Sequence, residues 1–210
     1  PFLIVRNAVD IEKFKYDSII RERKRKELGI ENKFIVGHVG RYCYIKNQMF
    51  LIDVFNCVIK FKPNAHLLLV GKGENQKKIE EKIEKLGLKN KVTLLIDRSD
   101  VAELYQAMDI FVMPSLFEGL PVVGIEAQAS GMPCLVSNRI SKELLITSNI
   151  KMINLDKNKE EWAKEIMNTS ITRNGNARQE LIDAGYDIVS EAEKLQRWYL
   201  NLYDTVSKEN

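Results

Sequence analysis

Apolar runs of strand length recur along this chain, and a segment of helical periodicity separates each from the next. The runs lie at 34–39, 66–70, 92–96, 110–113, 134–136 and 152–155, with helical segments at 47–62, 75–86, 101–108, 121–130 and 142–146. A strand that is apolar on both faces must be covered on both faces. Such strands alternating with amphipathic helices predict an α/β domain: one Rossmann-like, doubly wound parallel sheet. Right-handed crossovers then place every strand-to-helix loop on one edge of the sheet, the edge where ligands bind. Those loops are 40–47, 71–75, 97–100, 114–120 and 137–141. C-terminal helices follow at 159–168, 174–184 and 188–206. The last carries Ala192, Leu195, Trp198, Tyr199, Leu202 and Tyr203 at helical spacing, a stripe that reads as packing surface for a part of the protein outside this chain.

Ahead of the first run, Phe2-Leu3-Ile4-Val5 reads as a short strand and residues 6–10 as a turn. A helix at 19–28 contains Arg21-Glu22-Arg23-Lys24-Arg25-Lys26 and closes at Gly29. Glu22 and Glu27 interrupt the basic run, so it reads as a solvated helix face rather than a lipid or nucleic-acid patch. A net charge of +3 is too small to imply a nucleic-acid partner. The three cysteines, Cys43, Cys57 and Cys134, have apolar neighbours and no metal spacing, as expected of reduced thiols in or near the core of a cytosolic protein. Neither histidine has a cysteine or carboxylate at ligand spacing, so no transition-metal site is expected. No signal peptide and no membrane-spanning apolar run are visible. The chain does not begin with Met and reads as a piece of a longer protein.

Charge patterning singles out four side chains. Charged residues make up 29% of the sequence, so the stretch from Gly119 to Asn138 should carry about 6; it carries Glu126 alone. Two readings stand. Glu126 is a satisfied or solvent-facing structural carboxylate, or Glu118 and Glu126 both face a polar ligand at the N-terminus of a helix whose first residue is Pro121. Between Lys33 and Asp53 the charged residues are Arg41 and Lys46, both at a strand-to-helix handover. Unpaired N–H groups and a helix dipole beside two cations suit a phosphate or diphosphate; the alternative is two solvated cations. Gly71-Lys72-Gly73-Glu74 is a glycine turn of the kind that admits a ligand, but Gln76 occupies the third position of a dinucleotide fingerprint. There is no Asp-x-Asp pair. A bound diphosphate would therefore be neutralised by cations and helix dipoles instead of Mg²⁺ or Mn²⁺.

These residues resemble the C-terminal, donor-binding domain of family-4 retaining glycosyltransferases of GT-B fold, similar to those that build bacterial capsule and exopolysaccharide. The carrying motifs are Arg6-Asn7-Ala8-Val9-Asp10 with Phe14, Gly40-Arg41 with Lys46-Asn47, and Val70-Gly71-Lys72-Gly73. They continue with Asp100-Val101, Leu104, Ala107-Met108-Asp109, Pro114 through Pro121, Glu126-Ala127 and Gly131-Met132-Pro133. The resemblance spans nearly all of residues 1–210 and implies a nucleotide-sugar-binding domain whose N-terminal, acceptor-binding partner domain is absent from this chain. It also implies transfer of a hexose or N-acetylhexosamine from a UDP-sugar to a growing bacterial polysaccharide or lipid-linked acceptor, without a metal cofactor.

Residue by residue, the resemblance makes Arg41 and Lys46 the diphosphate holders and Glu118 the acceptor for sugar hydroxyls. Glu126 becomes the acceptor for the ribose hydroxyls. Gly40, Gly119, Leu120 and Pro121 line the sugar and phosphate site, and the base sits near Gly71, Asp97 and Arg98. The implied location is cytoplasmic, with room for peripheral association of the full-length enzyme at the inner face of the plasma membrane. Three positions depart from the pattern: Asn47 and Ile96 stand where glycine is common, and Leu120-Pro121 where Phe-Gly is common. A sugar-nucleotide epimerase of the same architecture and a non-catalytic α/β interaction domain are the alternative readings.

Overall fold

A computed structural model describes the backbone of residues 2–209 and the side chains up to Tyr203. The strands are β1 (Phe34–Val39), β2 (Ala65–Val70), β3 (Val92–Leu95), β4 (Ile110–Met113), β5 (Cys134–Ser137) and β6 (Ile150–Ile153). They pair in parallel throughout, in the order β3-β2-β1-β4-β5-β6. The order reverses between β1 and β4, which makes that junction the switch point where loops diverge and a crevice opens. Side chains alternate between two cores. Ile35, Leu68, Phe111 and Met113 face one, and Val36, Leu67, Leu69 and Val112 the other. This two-sided coverage is why the strands read as unbroken apolar runs.

The helices are α1 (Ile11–Phe14), α2 (Ser18–Glu27), α3 (Gln48–Phe61), α4 (Gln76–Lys85), α5 (Val101–Ala107), α6 (Val122–Ala129), α7 (Lys159–Asn168), α8 (Ala177–Asp183) and α9 (Ile188–Glu209). Trp162 of α7 is buried in the same core as Leu51 and Phe55 of α3. Leu104 of α5, Ile125 of α6 and Leu181 of α8 fill the opposite core.

Several expectations are corrected. Residues 2–5 are not a strand: Phe2 is 90% exposed, and the first backbone bridge to the fold is that of Val9 with Asp187. An apolar run without a neighbouring strand has no ladder to enter. Residues 142–146 form only a 3₁₀ turn, Lys142–Leu144, and β6 starts two residues earlier than its apolar pattern suggested. Pro121 is the N-cap of α6, with extended backbone, rather than its first residue. The stripe on α9 is half open, with Tyr199 and Tyr203 exposed and Leu195, Trp198 and Leu202 partly covered.

The basic helix α2 departs most from its reading. Arg21, Lys24 and Arg25 are clamped rather than solvated, while Arg23 and Lys26 stay exposed as expected. Arg21 donates to the carbonyls of Gln106 and Met108 at 2.9 Å each, and Arg25 to that of Ala107 at 3.0 Å. Both arginines pair with buried Asp109, which also accepts from the Ile35 N–H at 2.7 Å. Arg173 reaches the Tyr105, Gln106 and Met108 carbonyls as well. Three guanidinium groups thus serve the orphan carbonyls at the C-terminus of α5, where cations also suit the helix dipole. Lys24 is buried among Glu27, Asp100 and Glu103, and these carboxylates raise its pKa against the opposing effect of burial.

Candidate active site

The loops following β1 and β4 meet at the switch point. Leu116 N–H donates to Ile45 O at 2.8 Å, and the Asn47 amide to Pro114 O at 3.0 Å. Asn47 adopts φ 57°, the left-handed region that asparagine tolerates better than most residues. It therefore makes the turn at which glycine is common, while its side chain ties the loops together. Across this junction Lys46 Nζ donates to Glu118 Oε1 at 2.6 Å, and Ser115 Oγ donates to the same oxygen at 2.7 Å. Ser137, at the end of β5, holds the Ser115 carbonyl at 2.5 Å. Both ends of the Lys46–Glu118 pair are largely covered, at 16% and 13% exposure.

Arg41 lies on the same loop but turns outward. It pairs with Glu74 at 3.2 Å, and both side chains are mostly exposed. Gly71 and Gly73 serve the protein's own backbone. A Cβ on Gly71, whose φ is 152°, would stand 2.0 Å from Gly40 O, and one on Gly73 would stand 2.4 Å from Tyr42 O. The glycines admit the neighbouring loop, which donates from Gly40 N–H to Val70 O and from Tyr42 N–H to Lys72 O.

Beside this contact Gly40, Gly71, Lys72, Asp97 and Arg98 line a 210 Å³ cleft at the ends of β1, β2 and β3. Asp97 turns at φ 53° and pairs with Lys72, while Arg98 is gripped in two-point fashion by Asp100. Asp100 in turn holds the Arg98 charge firmly in place, and its own pKa is driven well down by that bond.

Glu126 sits on α6, half-buried, with Oε2 accepting from the buried Tyr105 hydroxyl at 3.0 Å. Burial raises its pKa, against the Tyr105 hydrogen bond. Gly119 and Leu120 lead into the uncapped N-terminus of α6; Gly119 is exposed with open space at its Cβ position, and Pro121 is buried. The loops therefore bring Lys46 and Glu118 together and set Gly40, Gly71, Asp97 and Arg98 around one cleft. Arg41 and Glu126 each have a different partner. Among the described residues no group of three or more His, Cys, Asp or Glu is arranged to hold a metal, and no helix is long and apolar enough to cross a membrane.

A family model described as glycosyl transferases group 1 matches residues 20–188, most of the chain and all of the site. The chain belongs to that family. Among group 1 relatives, EpsF of Bacillus subtilis, named as a glycosyltransferase, is 36% identical over 139 residues. An Escherichia coli UDP-Gal:alpha-D-GlcNAc-diphosphoundecaprenol alpha-1,3-galactosyltransferase is 27% identical over 209 residues, covering 95% of this chain. The crystal structure of Anabaena Alr3699/HepE in complex with UDP superposes with a TM-score of 0.78 at 25% identity, over 95% of this chain and 57% of that one. This group 1 domain spans 36% of EpsF and 54% of the E. coli protein, about a third to a half of their lengths. The six-stranded Rossmann-like sheet matches GT-B glycosyltransferase structures.

Sequence reasoning passed over four residues of this group 1 site. Ser115 was visible only as part of a motif, and Ser137 only as the first residue of a ligand-edge loop. Glu74 stood beside the glycine turn as its last residue, and only the fold shows that it faces Arg41. Tyr105 carried no signal, because its role depends on α5 packing beside α6.

Proposed function

We propose that this chain is the donor-binding C-terminal half of a retaining glycosyltransferase. The whole enzyme, completed by an N-terminal acceptor domain, transfers a hexose or N-acetylhexosamine from a UDP-sugar to a growing bacterial polysaccharide or lipid-linked acceptor. The observation that carries this reading is the cation–carboxylate pair of Lys46 and Glu118, held between the β1 and β4 loops at the sheet's switch point. Support also comes from the E. coli relative, named for a UDP-galactose donor, and from the Anabaena neighbour, solved with UDP.

On this reading the diphosphate enters between Arg41 and Lys46. Lys46 exchanges Glu118 for phosphate oxygen, and Glu118, still held by Ser115, turns its free oxygen to the sugar hydroxyls. Negative charge grows on the leaving diphosphate as the glycosidic bond breaks. Fixed cations there lower the barrier by about 3 kcal/mol per donor group. Glu126 accepts from the ribose hydroxyls, Gly119, Leu120 and Pro121 line the sugar and phosphate site beside Gly40, and the base lies by Gly71, Asp97 and Arg98. No metal takes part, because Arg41, Lys46 and the end of α6 do the neutralising. The enzyme works in the cytoplasm, with its acceptor at the inner face of the plasma membrane.

Calorimetric titration of the chain with UDP and UDP-sugars in EDTA tests the reading. Binding that falls about tenfold or more in Arg41→Ala and Glu126→Ala supports it. No binding by the unaltered chain, or sugar transfer by these 210 residues alone, overturns it.

A further inference from the structure

His38 lies at the C-terminal end of β1, fully buried, with its ring stacked on that of Phe111 at 6.3 Å between centroids. Its Nδ1 is 2.9 Å from the carbonyl oxygen of Val112 on β4. A carbonyl can only accept, so Nδ1 carries the proton and Nε2 presents a lone pair. That lone pair faces the side-chain nitrogen of Gln48 at 3.2 Å, and the same nitrogen lies 2.8 Å from the Arg41 carbonyl. Both neighbours of the Gln48 nitrogen are acceptors, which fixes the amide orientation and uses both of its protons. Gln48 is 1% exposed and opens α3. The result is a continuous chain of hydrogen bonds from the β4 backbone, through His38 and Gln48, to the main chain of Arg41.

Among the described residues, by contrast, the Arg41 side chain has only the exposed Glu74 as partner, so its backbone is placed more firmly than its side chain. The stem of Lys46 passes over the same spot. A Cβ built on Gly40 would lie 3.4 Å from Lys46 Cδ and Cε and 3.5 Å from His38 Nε2. The imidazole and the Lys46 stem therefore both border the space beside Gly40.

We propose that His38 and Gln48 are positioning residues for the anion site: they lock the Gly40–Arg41 turn so that Arg41 and Lys46 converge on one diphosphate. This rests on the reading of those two cations as diphosphate holders. Burial, aided by the nearby Lys46 charge, pulls the His38 pKa down to about 4, which keeps Nε2 an acceptor at neutral pH.

The test is UDP calorimetry and thermal melting on the 210-residue chain, with Gln48→Glu, Gln48→Met, Arg41→Ala and the double variant Gln48→Met/Arg41→Ala. Loss of the relay should weaken UDP binding about tenfold in both Gln48 variants. In the double variant the losses should overlap, because Gln48 acts through Arg41. Variants that melt earlier but bind UDP as the unaltered chain does overturn the inference while leaving the proposed function standing. No binding by the unaltered chain removes the function itself. Should the variants fail to fold, ¹⁵N NMR of the unaltered chain decides: a Nδ1–H tautomer at His38 and a Gln48 side-chain amide that shifts on UDP saturation support the relay. The opposite tautomer, or an amide indifferent to UDP, refutes it.

Discussion

Lys46 and Glu118, 72 residues apart in sequence, share a 2.6 Å hydrogen bond where the two halves of the sheet diverge. On the proposed reading, the cation assigned to the phosphate is therefore paired with the carboxylate assigned to the sugar. Glu118→Gln retains the Ser115 contact and releases Lys46, so UDP should bind a few-fold tighter while discrimination among UDP-sugars falls. Lys46→Ala does the reverse. It leaves a partly buried carboxylate with Ser115 alone, weakens UDP binding, and costs about 1–3 kcal/mol of stability. Paired calorimetry and denaturant melts read both effects.

Glu74 occupies Arg41 in the same manner but in the open. Exposed pairs contribute little to stability and are screened by salt. Glu74→Gln should leave the thermal midpoint unchanged and tighten UDP binding at low ionic strength, with the gain fading as salt rises. An unaltered UDP affinity at every salt concentration would show that Arg41 does not reach the diphosphate.

Asp109 carries a structural burden far from the ligand edge. Removing it in Asp109→Ala strands Arg21 and Arg25, both largely covered, and leaves the Ile35 N–H unpaired. Breaking a buried pair of this kind costs about 3–5 kcal/mol. Chemical denaturation should show that loss. Asp109→Asn, which can still accept from Ile35, should recover part of it.

The glycines separate into those the fold needs and one it does not. Gly71→Ala combines a strained φ with a Cβ driven into Gly40 O, and should cost about 2 kcal/mol or more along with UDP binding. Gly119→Ala meets open space and should melt like the unaltered chain. On the proposed reading Gly119 lines the sugar and phosphate site, so the added methyl should weaken binding of nucleotide sugars, read by calorimetry.

Acid should destabilise the chain through its histidines. The folded pKa values of His38 and His66 are lowered from 6.5 to about 4, chiefly by burial. Between those limits the unfolded chain binds protons that the folded chain refuses. Each histidine thus removes about 1.4 kcal/mol per pH unit as pH falls from 6.5 toward 4. Glu126, whose pKa is raised, works in the opposite sense and gains stability as it protonates. Melts across this range should decline toward acid, and His38→Gln should flatten the slope.

The sheet was legible because two-sided burial leaves a local mark: each strand is a short apolar block, and each crossover helix has its own period. Phe2–Val5 carried the same mark without meaning a strand, since composition cannot report whether a neighbour exists to pair with. Arg21 and Arg25 of α2 were unreadable for a related reason. Their partner Asp109 lies 84 to 88 residues downstream, and a basic run looks alike whether water or a helix end receives it. Lys46 was recognisable as one of two charges in an apolar stretch, and Glu118 as a loop carboxylate of the motif that carries the resemblance. Their contact with each other was not, because it depends on the β1 and β4 loops being neighbours. The outward turn of Arg41 depends on Glu74 at the entrance to α4, again a matter of which loops adjoin.

The near-contact of Gly71 with Gly40 has a consequence for engineering. The main chains after β1 and β2 are fitted to one another with no room for a methyl group, so neither can be exchanged alone. A chimera that imports residues 71–74 from a donor of different nucleotide preference should fold only if it brings that donor's 40–42 as well. The floor of the cleft is inherited as a matched pair of loops.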